Sequence, residues 1–267
     1  MLPYIHFLGR TMPTYGFMML VGILLSMGLC ILRSRRFAPQ RSAESVCYQY
    51  LILAGSALLG AKIYSLILVW PSLTSNISLL WTDTQLFLQM YVYGGMVFYG
   101  GLIGGGICVA VLLLARKTTF SSLETVFLPA VPLVHGIGRI GCFCAGCCYG
   151  MPTDSPIGVV YPAGGLAPAG VPLIPVQLFE AAGDFVLCLL LCLPLYHRYG
   201  RRLAVYLLGY GCLRFTTECF RGDAARGLAG PLSGAQWISL ACIAAGLCIT
   251  AVLCARALSA RRKLPAR

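Results

Sequence analysis

The chain has 267 residues, of which 58% are hydrophobic and only 10% are charged, and its mean hydropathy is +0.82. This composition excludes a soluble globular domain and indicates an integral membrane protein. The formal net charge is +12. Because the basic residues lie in short segments between apolar runs, we interpret them as topology signals, and we predict no nucleic-acid partner.

Seven apolar stretches are long enough to cross a bilayer, which takes about 20 residues. They are Tyr15–Leu32, Cys47–Trp70, Phe87–Ala115, Leu123–Cys148, Val171–Tyr196, Leu203–Phe220 and Ala235–Ala255. The connections between them are too short to form a separate soluble domain. We therefore predict an all-α integral membrane protein with seven transmembrane helices, organised as a single transmembrane domain over residues 1–267.

The basic residues alternate between the two sides of this arrangement. Of the 20 Lys and Arg residues, 14 fall in the connections and tail on one side, three on the other side and three inside spans. Positively charged loops stay in the cytoplasm. This distribution predicts an N-terminus outside and a C-terminus in the cytoplasm.

Polar and ionisable side chains within the spans gather at one depth on this topology. The outer half of the membrane holds Tyr15, Lys62, Tyr99, His135, Arg139, Gln177, Glu180, Arg214 and Glu218, and we predict nothing comparable in the other half. Charged side chains are costly inside a membrane and usually mark a site or a partner. Because Arg offers planar, bidentate donors to phosphate, we predict one water-accessible cavity that suits a phosphate-containing ligand.

Part of this set has a purely structural alternative. Glu218 lies four residues after Arg214, on the same helix face, and Lys62 is available to pair with Glu180. In this alternative, both pairs are ion pairs that only hold helices together. Arg139 has no acidic residue within a helical turn, which makes it the firmer candidate for a functional cation.

The chain has fourteen cysteines, and four of them form one cluster in the sequence: Cys142, Cys144, Cys147 and Cys148. Its spacing is similar to thiolate ligand sets for zinc or an iron–sulfur centre, but a second ligand pair is lacking. A disulfide near the oxidising outer face and packing as small apolar side chains are the alternatives. We favour packing, and we predict no metal and no cofactor.

Paired glycines crowd the start of the third predicted span, at Gly94-Gly95, Gly100-Gly101 and residues 104–106. Close helix packing through small residues is one explanation. A broken helix start that exposes backbone groups to a polar cavity is the other. We favour the broken start because paired glycines make a straight helix costly.

Six motifs together resemble the prolipoprotein diacylglyceryl transferase family. They are GAKIY (Gly60–Tyr64), GGMVFYGGLIGG (Gly94–Gly105), GRIGCFCAGCCYG (Gly138–Gly150), TDSPIGVVYP (Thr153–Pro162), PVQLFEA (Pro175–Ala181) and RFTTECFRGD (Arg214–Asp223). The resemblance covers nearly the whole chain, and Tyr15-Gly16 opens the first span as it does in the family.

The resemblance implies a multi-pass transferase of the bacterial cytoplasmic membrane whose active site faces the outer side. Such an enzyme moves diacylglyceryl from phosphatidylglycerol to the lipobox cysteine of a prolipoprotein signal peptide and releases glycerol phosphate. By position, Arg139 and Arg214 would hold the phosphate and Glu218 would orient Arg214. The predicted substrate-binding residues are Tyr15, Lys62, Gly94, Gly95, Gly100, Gly101, Cys142, Gly150, Gln177, Glu180 and Glu218.

The chain departs from the family pattern at four positions, Tyr99, Cys142, Cys147 and Ile174. Tyr99 stands where the family has a histidine, and we keep it in the predicted catalytic set with Arg139, Arg214 and His135. A tyrosine, with an ordinary pKa of about 10, is a poor base at neutral pH. We therefore predict His135 as the base that deprotonates the acceptor thiol.

Four alternatives remain open at this point. A neutral His135 would only bridge helices, and a thiol of pKa about 8.5 beside two arginines is partly ionised without any base. The altered positions also fit a same-fold enzyme with a different lipid donor or acceptor. A non-catalytic membrane protein, whose cysteine cluster binds metal or exchanges thiols, is the remaining interpretation.

Overall fold

The computed structural model describes residues 4–7, 10–93, 97–163, 166–193, 200–223 and 228–262. The chain is mostly helical and divides into two compact units. The first unit consists of Met1–Phe37 and Ser121–Arg267, and the second of Ala38–Phe120.

The described helices, numbered along the chain, are α1 (Thr14–Phe37), α2 (Ala43–Leu68), α3 (Trp70–Ser75), α4 (Leu79–Thr82), α5 (Thr84–Phe87), α6 (Phe98–Leu114), α7 (Phe120–Ser122), α8 (Ala130–Ala145), α9 (Val176–Cys192), α10 (Arg201–Cys219) and α11 (Gly234–Arg262). Two π-helical segments cover Leu88–Tyr93 and Leu123–Phe127. Short antiparallel strand pairs are β1 (Tyr4–Phe7) with β2 (Arg10–Pro13), β3 (Val159–Val160) with β4 (Pro172–Leu173), and β5 (Leu228–Ala229) with β6 (Leu232–Ser233).

Among the residues that the structure describes, four helical segments are long and apolar enough to cross a membrane. They are Thr14–Phe37, Ala43–Leu68, Phe120–Ala145 and Gly234–Ser259, and a shorter apolar helix covers Gly100–Leu114. The predicted fifth and sixth spans correspond to α9 and α10, of 17 and 19 residues. The chain is thus a helical multi-pass membrane protein.

Three predicted span boundaries differ from the structure for local backbone reasons. The predicted third span is interrupted, because Leu88–Tyr93 is π-helical, Val97 is extended and α6 begins only at Phe98. The fourth ends at Ala145 because Gly146 adopts a left-handed conformation with φ 72°, a common helix terminator. The fifth begins five residues late, since β4 and Pro175 precede α9.

In the second unit, α2 packs on α6 through glycines. A Cβ atom at Gly60 would overlap the Gly100 carbonyl, and one at Gly104 would overlap the Ser56 carbonyl. Small residues allow such close approach of helix backbones. Close packing, rather than a broken helix start, therefore explains Gly100 and Gly104 inside α6, whereas Gly94 and Gly95 lie outside the described residues.

In the first unit, α1 packs on α8, α8 on α9, α9 on α10 and α10 on α11. Gly141 of α8 lies against α1, where an added Cβ would meet Met18 and Tyr15 at 3.1–3.3 Å. Gly136 meets α9 in the same way, at Phe185 and Asp184. Glycines of α8 thus set its distance from both neighbours and place its polar side chains between them.

The connections that follow α8 and α10 pair with one another. Gly150 N donates to Ile174 O (3.0 Å), Met151 N to Phe220 O (2.9 Å) and Gly222 N to Tyr149 O (3.0 Å). A Cβ at Gly150 would collide with Ile174 and Val176. The ends of α8 and α10 and the start of α9 are therefore tied together by backbone hydrogen bonds.

The other end of these helices also holds buried polar groups, so the prediction that they gather only at one depth is wrong. Glu124 accepts from the amides of Gly200 (2.8 Å) and Leu203 (2.9 Å) at the start of α10. Arg33 Nε donates to Thr125 O (2.6 Å), and Arg202 Nε donates to Leu191 O (3.1 Å). These side chains satisfy backbone groups that helix ends leave unpaired.

Candidate active site

One buried carboxylate joins three helices of the first unit. Glu180 of α9 places Oε1 2.9 Å from Arg139 Nη2 of α8, and Oε2 2.9 Å from Arg214 Nη1 of α10. The Glu180 side chain is only 1% exposed. Arg139 therefore has an acidic partner on a neighbouring helix, whereas the alternative pair of Glu180 with Lys62 remains a prediction.

The predicted pair on α10 is confirmed. Arg214 Nη2 lies 2.6 Å from Glu218 Oε2, one helical turn away. Glu218 also lies 3.4 Å from Arg221 Nη1. Two carboxylates therefore hold the Arg214 guanidinium, Glu218 from its own helix and Glu180 from α9.

Arg221 and Asp223 extend this network beyond the end of α10. Arg221 donates from Nε to Asp223 Oδ1 (2.7 Å) and from Nη2 to Asp223 Oδ2 (2.6 Å), a bidentate pair. Burial works against the charged form of Arg221, but the bonds to Asp223 and the nearby Glu218 outweigh it and raise the pKa of Arg221 above its usual value. Arg221 therefore stays charged at any accessible pH.

His135 contacts a second buried acid. Its Nδ1 lies 2.7 Å from Asp184 Oδ2, and its Nε2 lies 4.0 Å from Glu180 Oε1. The Tyr210 ring meets the imidazole edge-on, with centroids 5.6 Å apart. His135 is thus held one helical turn before Arg139, as its spacing predicted, and it is oriented by a carboxylate.

One donor of Arg139 has no partner among the described residues. Its Nε is buried, and no acceptor lies within hydrogen-bonding distance. A buried donor without an acceptor costs about 1–3 kcal/mol. The Arg139 guanidinium is consequently anchored at Nη2, and its Nε is a buried donor without an acceptor among the described residues.

The remaining predicted residues of the first unit surround this network. Tyr15 of α1 lies within electrostatic range of Arg139 and Cys142. Gln177 Nε2 donates to Cys147 O (2.7 Å) and to the Tyr161 hydroxyl (3.1 Å). Burial raises the pKa of Tyr161 despite the Gln177 bond, so this phenol is neutral at physiological pH.

The second unit carries the other predicted site residues. Lys62 lies on α2, and Gly100 and Gly101 lie on α6. Tyr99 is in α6, but its side chain is outside the described atoms, and Gly94 and Gly95 are outside the described residues.

Four residues of the network were missed from the sequence: Asp184, Tyr210, Arg221 and Asp223. Asp184 had a usable signal, because it lies four residues after Glu180 on an apolar helix and therefore shares its face. Arg221 and Asp223 lie just beyond a predicted span. Tyr210 carries no signal that separates it from an ordinary core tyrosine.

The chain was compared with known proteins. The model of a family described as prolipoprotein diacylglyceryl transferase matches residues 3–252. The chain is 36% identical, over 90% of both chains, to phosphatidylglycerol–prolipoprotein diacylglyceryl transferase 2 of Clostridium perfringens. It is 34% identical to the corresponding transferase of Clostridium tetani, over 87% of this chain and 90% of that protein. The Finegoldia magna transferase is 29% identical over 87% and 88%.

Proposed function

The chain belongs to the prolipoprotein diacylglyceryl transferase family, and on that basis we propose that it transfers diacylglyceryl from phosphatidylglycerol to the cysteine thiol of a prolipoprotein. Glycerol phosphate is the second product. One observation supports a catalytic site at Arg139. Its guanidinium is anchored by Glu180 and has one buried donor without an acceptor among the described residues.

We further propose that the protein has seven spans in one transmembrane domain of the bacterial cytoplasmic membrane, with the N-terminus outside and the C-terminus in the cytoplasm. The distribution of basic residues between the apolar stretches supports this topology. Arg139, Glu180 and Glu218 then face the outer side, where the donor lipid and the signal-peptide cysteine are both accessible.

The reaction makes a thioether and releases a phosphate monoester. The acceptor sulfur attacks the glyceryl carbon while the bond from that carbon to the phosphate oxygen breaks, so negative charge grows on the departing glycerol phosphate. Fixed donors stabilise such charge without reorganising during the reaction. Arg139 and Arg214 are fixed in this way by Glu180 and Glu218, and the neighbouring Tyr15, Gln177 and Gly150 bound the pocket.

His135 is our proposed base for the acceptor thiol. Asp184, which is fully buried, places Oδ2 2.7 Å from Nδ1, and this carboxylate favours the tautomer that keeps the proton on Nδ1 and the lone pair on Nε2. A carboxylate orients the histidine of hydrolytic triads in the same manner. Tyr99, in the position of the family's histidine, is then not required to accept the proton.

The test is transfer from labelled phosphatidylglycerol to a lipobox peptide by the purified protein. We expect Arg139→Ala to reduce the rate by at least 100-fold, the usual loss when one fixed donor to a developing anion is removed. Arg256→Ala, at an exposed position on α11, is the matched control and keeps full activity. Transfer that survives Arg139→Ala would remove this residue from the site, and no transfer by the unmodified protein would favour a different donor or acceptor.

A further inference from the structure

Three of the four clustered cysteines converge on one point at the end of α8. The sulfur atoms of Cys142, Cys147 and Cys148 all lie within 4.8 Å of one another. Cys142 is buried in the last turn of the helix, and the other two follow its end. Cys144 is a free cysteine nearby in the sequence that does not belong to this group.

An unusual backbone path makes this convergence possible. Gly146 has φ 72° and Cys148 has φ 57°, and a residue with a side chain in the left-handed region costs roughly 1–2 kcal/mol. Consecutive side chains of a helix or strand point in different directions. The two left-handed residues instead turn Cys147 and Cys148 back towards Cys142, and Cys147 N donates to Cys142 O at 3.1 Å. Strain of this kind is concentrated at functional sites.

The cluster borders the phosphate-binding candidates. The charge of Arg139 acts on Cys142 and Cys148, and that of Arg221 acts on Cys148. Two guanidinium groups therefore lie within electrostatic range of the cluster. Gln177 Nε2 donates to the Cys147 carbonyl at 2.7 Å. This bond links the cysteine cluster to α9, the helix whose Glu180 contacts Arg139 and Arg214.

We propose that Cys142, Cys147 and Cys148 bind a thiophilic divalent cation such as Zn²⁺, whose fourth ligand is the thiolate of the acceptor cysteine. Three protein ligands and one open position are the arrangement of catalytic zinc. Zinc–sulfur bonds of about 2.3 Å imply sulfur separations of about 3.8 Å, which the cluster reaches by side-chain rotation. The role of the metal rests on the proposed function.

The proposed reaction needs neither an oxidant nor a reductant. On binding the cation the acceptor thiol gives its proton to His135, the proposed base, because a coordinating thiol is deprotonated. The bound sulfur then forms the bond to the glyceryl carbon as the carbon–oxygen bond to phosphate breaks, and the electron pair leaves with glycerol phosphate. The product thioether is a weaker ligand and is released. Such activation compensates for the missing histidine at position 99.

The experiment uses the full chain, purified in detergent with reductant, stripped of metal and titrated with Zn²⁺ and Co²⁺. We expect one metal per chain and a thiolate–Co²⁺ charge-transfer absorption. Cys142→Ser, Cys147→Ser and Cys148→Ser each weaken binding at least tenfold, whereas Cys144→Ser, the matched control, binds normally. A lipobox peptide changes the Co²⁺ spectrum, and the same peptide with serine for cysteine does not.

A second measurement does not depend on the folding of any variant. In the unmodified protein Zn²⁺ slows alkylation of Cys142, Cys147 and Cys148 but not of Cys144. Absence of binding, equal loss in Cys144→Ser, a disulfide among the three cysteines in place of metal, or no response to the peptide overturns the proposal. Transfer that persists in the metal-stripped protein also overturns it and leaves the proposed function intact, whereas metal binding without any transfer counts against the proposed function.

Discussion

Arg139 Nη2 lies 2.9 Å from Glu180 Oε1, so the arginine on α8 is held by a carboxylate on α9. The same carboxylate contacts Arg214 on α10. Arg214 has Glu218 as a second carboxylate partner, so Glu180 compensates Arg139 and shares Arg214 with Glu218. Glu180 is therefore a link between α8, α9 and α10, beside the arginines that we propose to bind phosphate.

Glu180→Gln tests the double role of this carboxylate. The substitution keeps the shape but removes the charge that compensates Arg139 and Arg214, and breaking a buried pair costs about 3–5 kcal/mol. We expect a lower thermal midpoint in detergent and transfer reduced at least tenfold, because both arginines lose their anchor. Glu44→Gln, at an exposed position in the first turn of α2, is the control. An unchanged midpoint would show that Glu180 is not the link.

Asp184→Asn tests the orientation of His135. Asparagine has the size of aspartate, but its amide does not fix the tautomer in which Nε2 carries the lone pair. If His135 is the base, we expect kcat to fall about 10²–10⁴-fold, the usual contribution of a positioned base, with little change in KM for phosphatidylglycerol. Asp154→Asn, in an exposed loop, should change neither. A rise in KM with normal kcat would instead assign Asp184 and His135 to lipid binding.

The site shows what sequence spacing reveals and what it does not. The contacts of Arg214 with Glu218, and the position of His135 beside Arg139, follow from helical spacing, which is local. The partner of Arg139 comes from another helix. An apolar pattern indicates the depth of a residue in the membrane, but it does not indicate which residues of a neighbouring helix face it. For the same reason spacing did not reveal that Glu180 contacts Arg139 and Arg214.

The predicted helix boundaries were wrong where backbone conformation, rather than hydropathy, determines the residue at which a helix ends. The helix that carries Arg139 stops at Ala145 although the apolar pattern continues, because Gly146 and Cys148 turn left-handed. The convergence of three sulfur atoms depends on these two angles. No spacing rule predicts a left-handed cysteine, so the sequence favoured simple packing for this cluster.

Gln177→Glu tests the tie between α9 and the connection after α8. Gln177 is 1% exposed and donates to the Cys147 carbonyl and the Tyr161 hydroxyl. A carboxylate of the same shape cannot donate to the carbonyl and adds a buried charge. We expect a loss of about 1–3 kcal/mol or more of stability, measured as a lower thermal midpoint. Gln85→Glu, the same change at an exposed site, should have no effect, and equal midpoints for both variants would contradict the role of this bond.

Gly100→Ala and Gly106→Ala separate close packing from substrate binding on α6. A Cβ at position 100 would overlap the Gly60 carbonyl and the Tyr64 side chain, whereas one at position 106 meets nothing within 4 Å. Overpacking costs about 1–3 kcal/mol, and alanine gains up to about 1 kcal/mol over glycine in an open helical position. We therefore expect opposite shifts of the thermal midpoint, downward for Gly100→Ala and slightly upward for Gly106→Ala. If Gly100→Ala keeps its midpoint but loses transfer, Gly100 contacts the lipid, as its place in the predicted substrate-binding set requires, and the packing explanation fails.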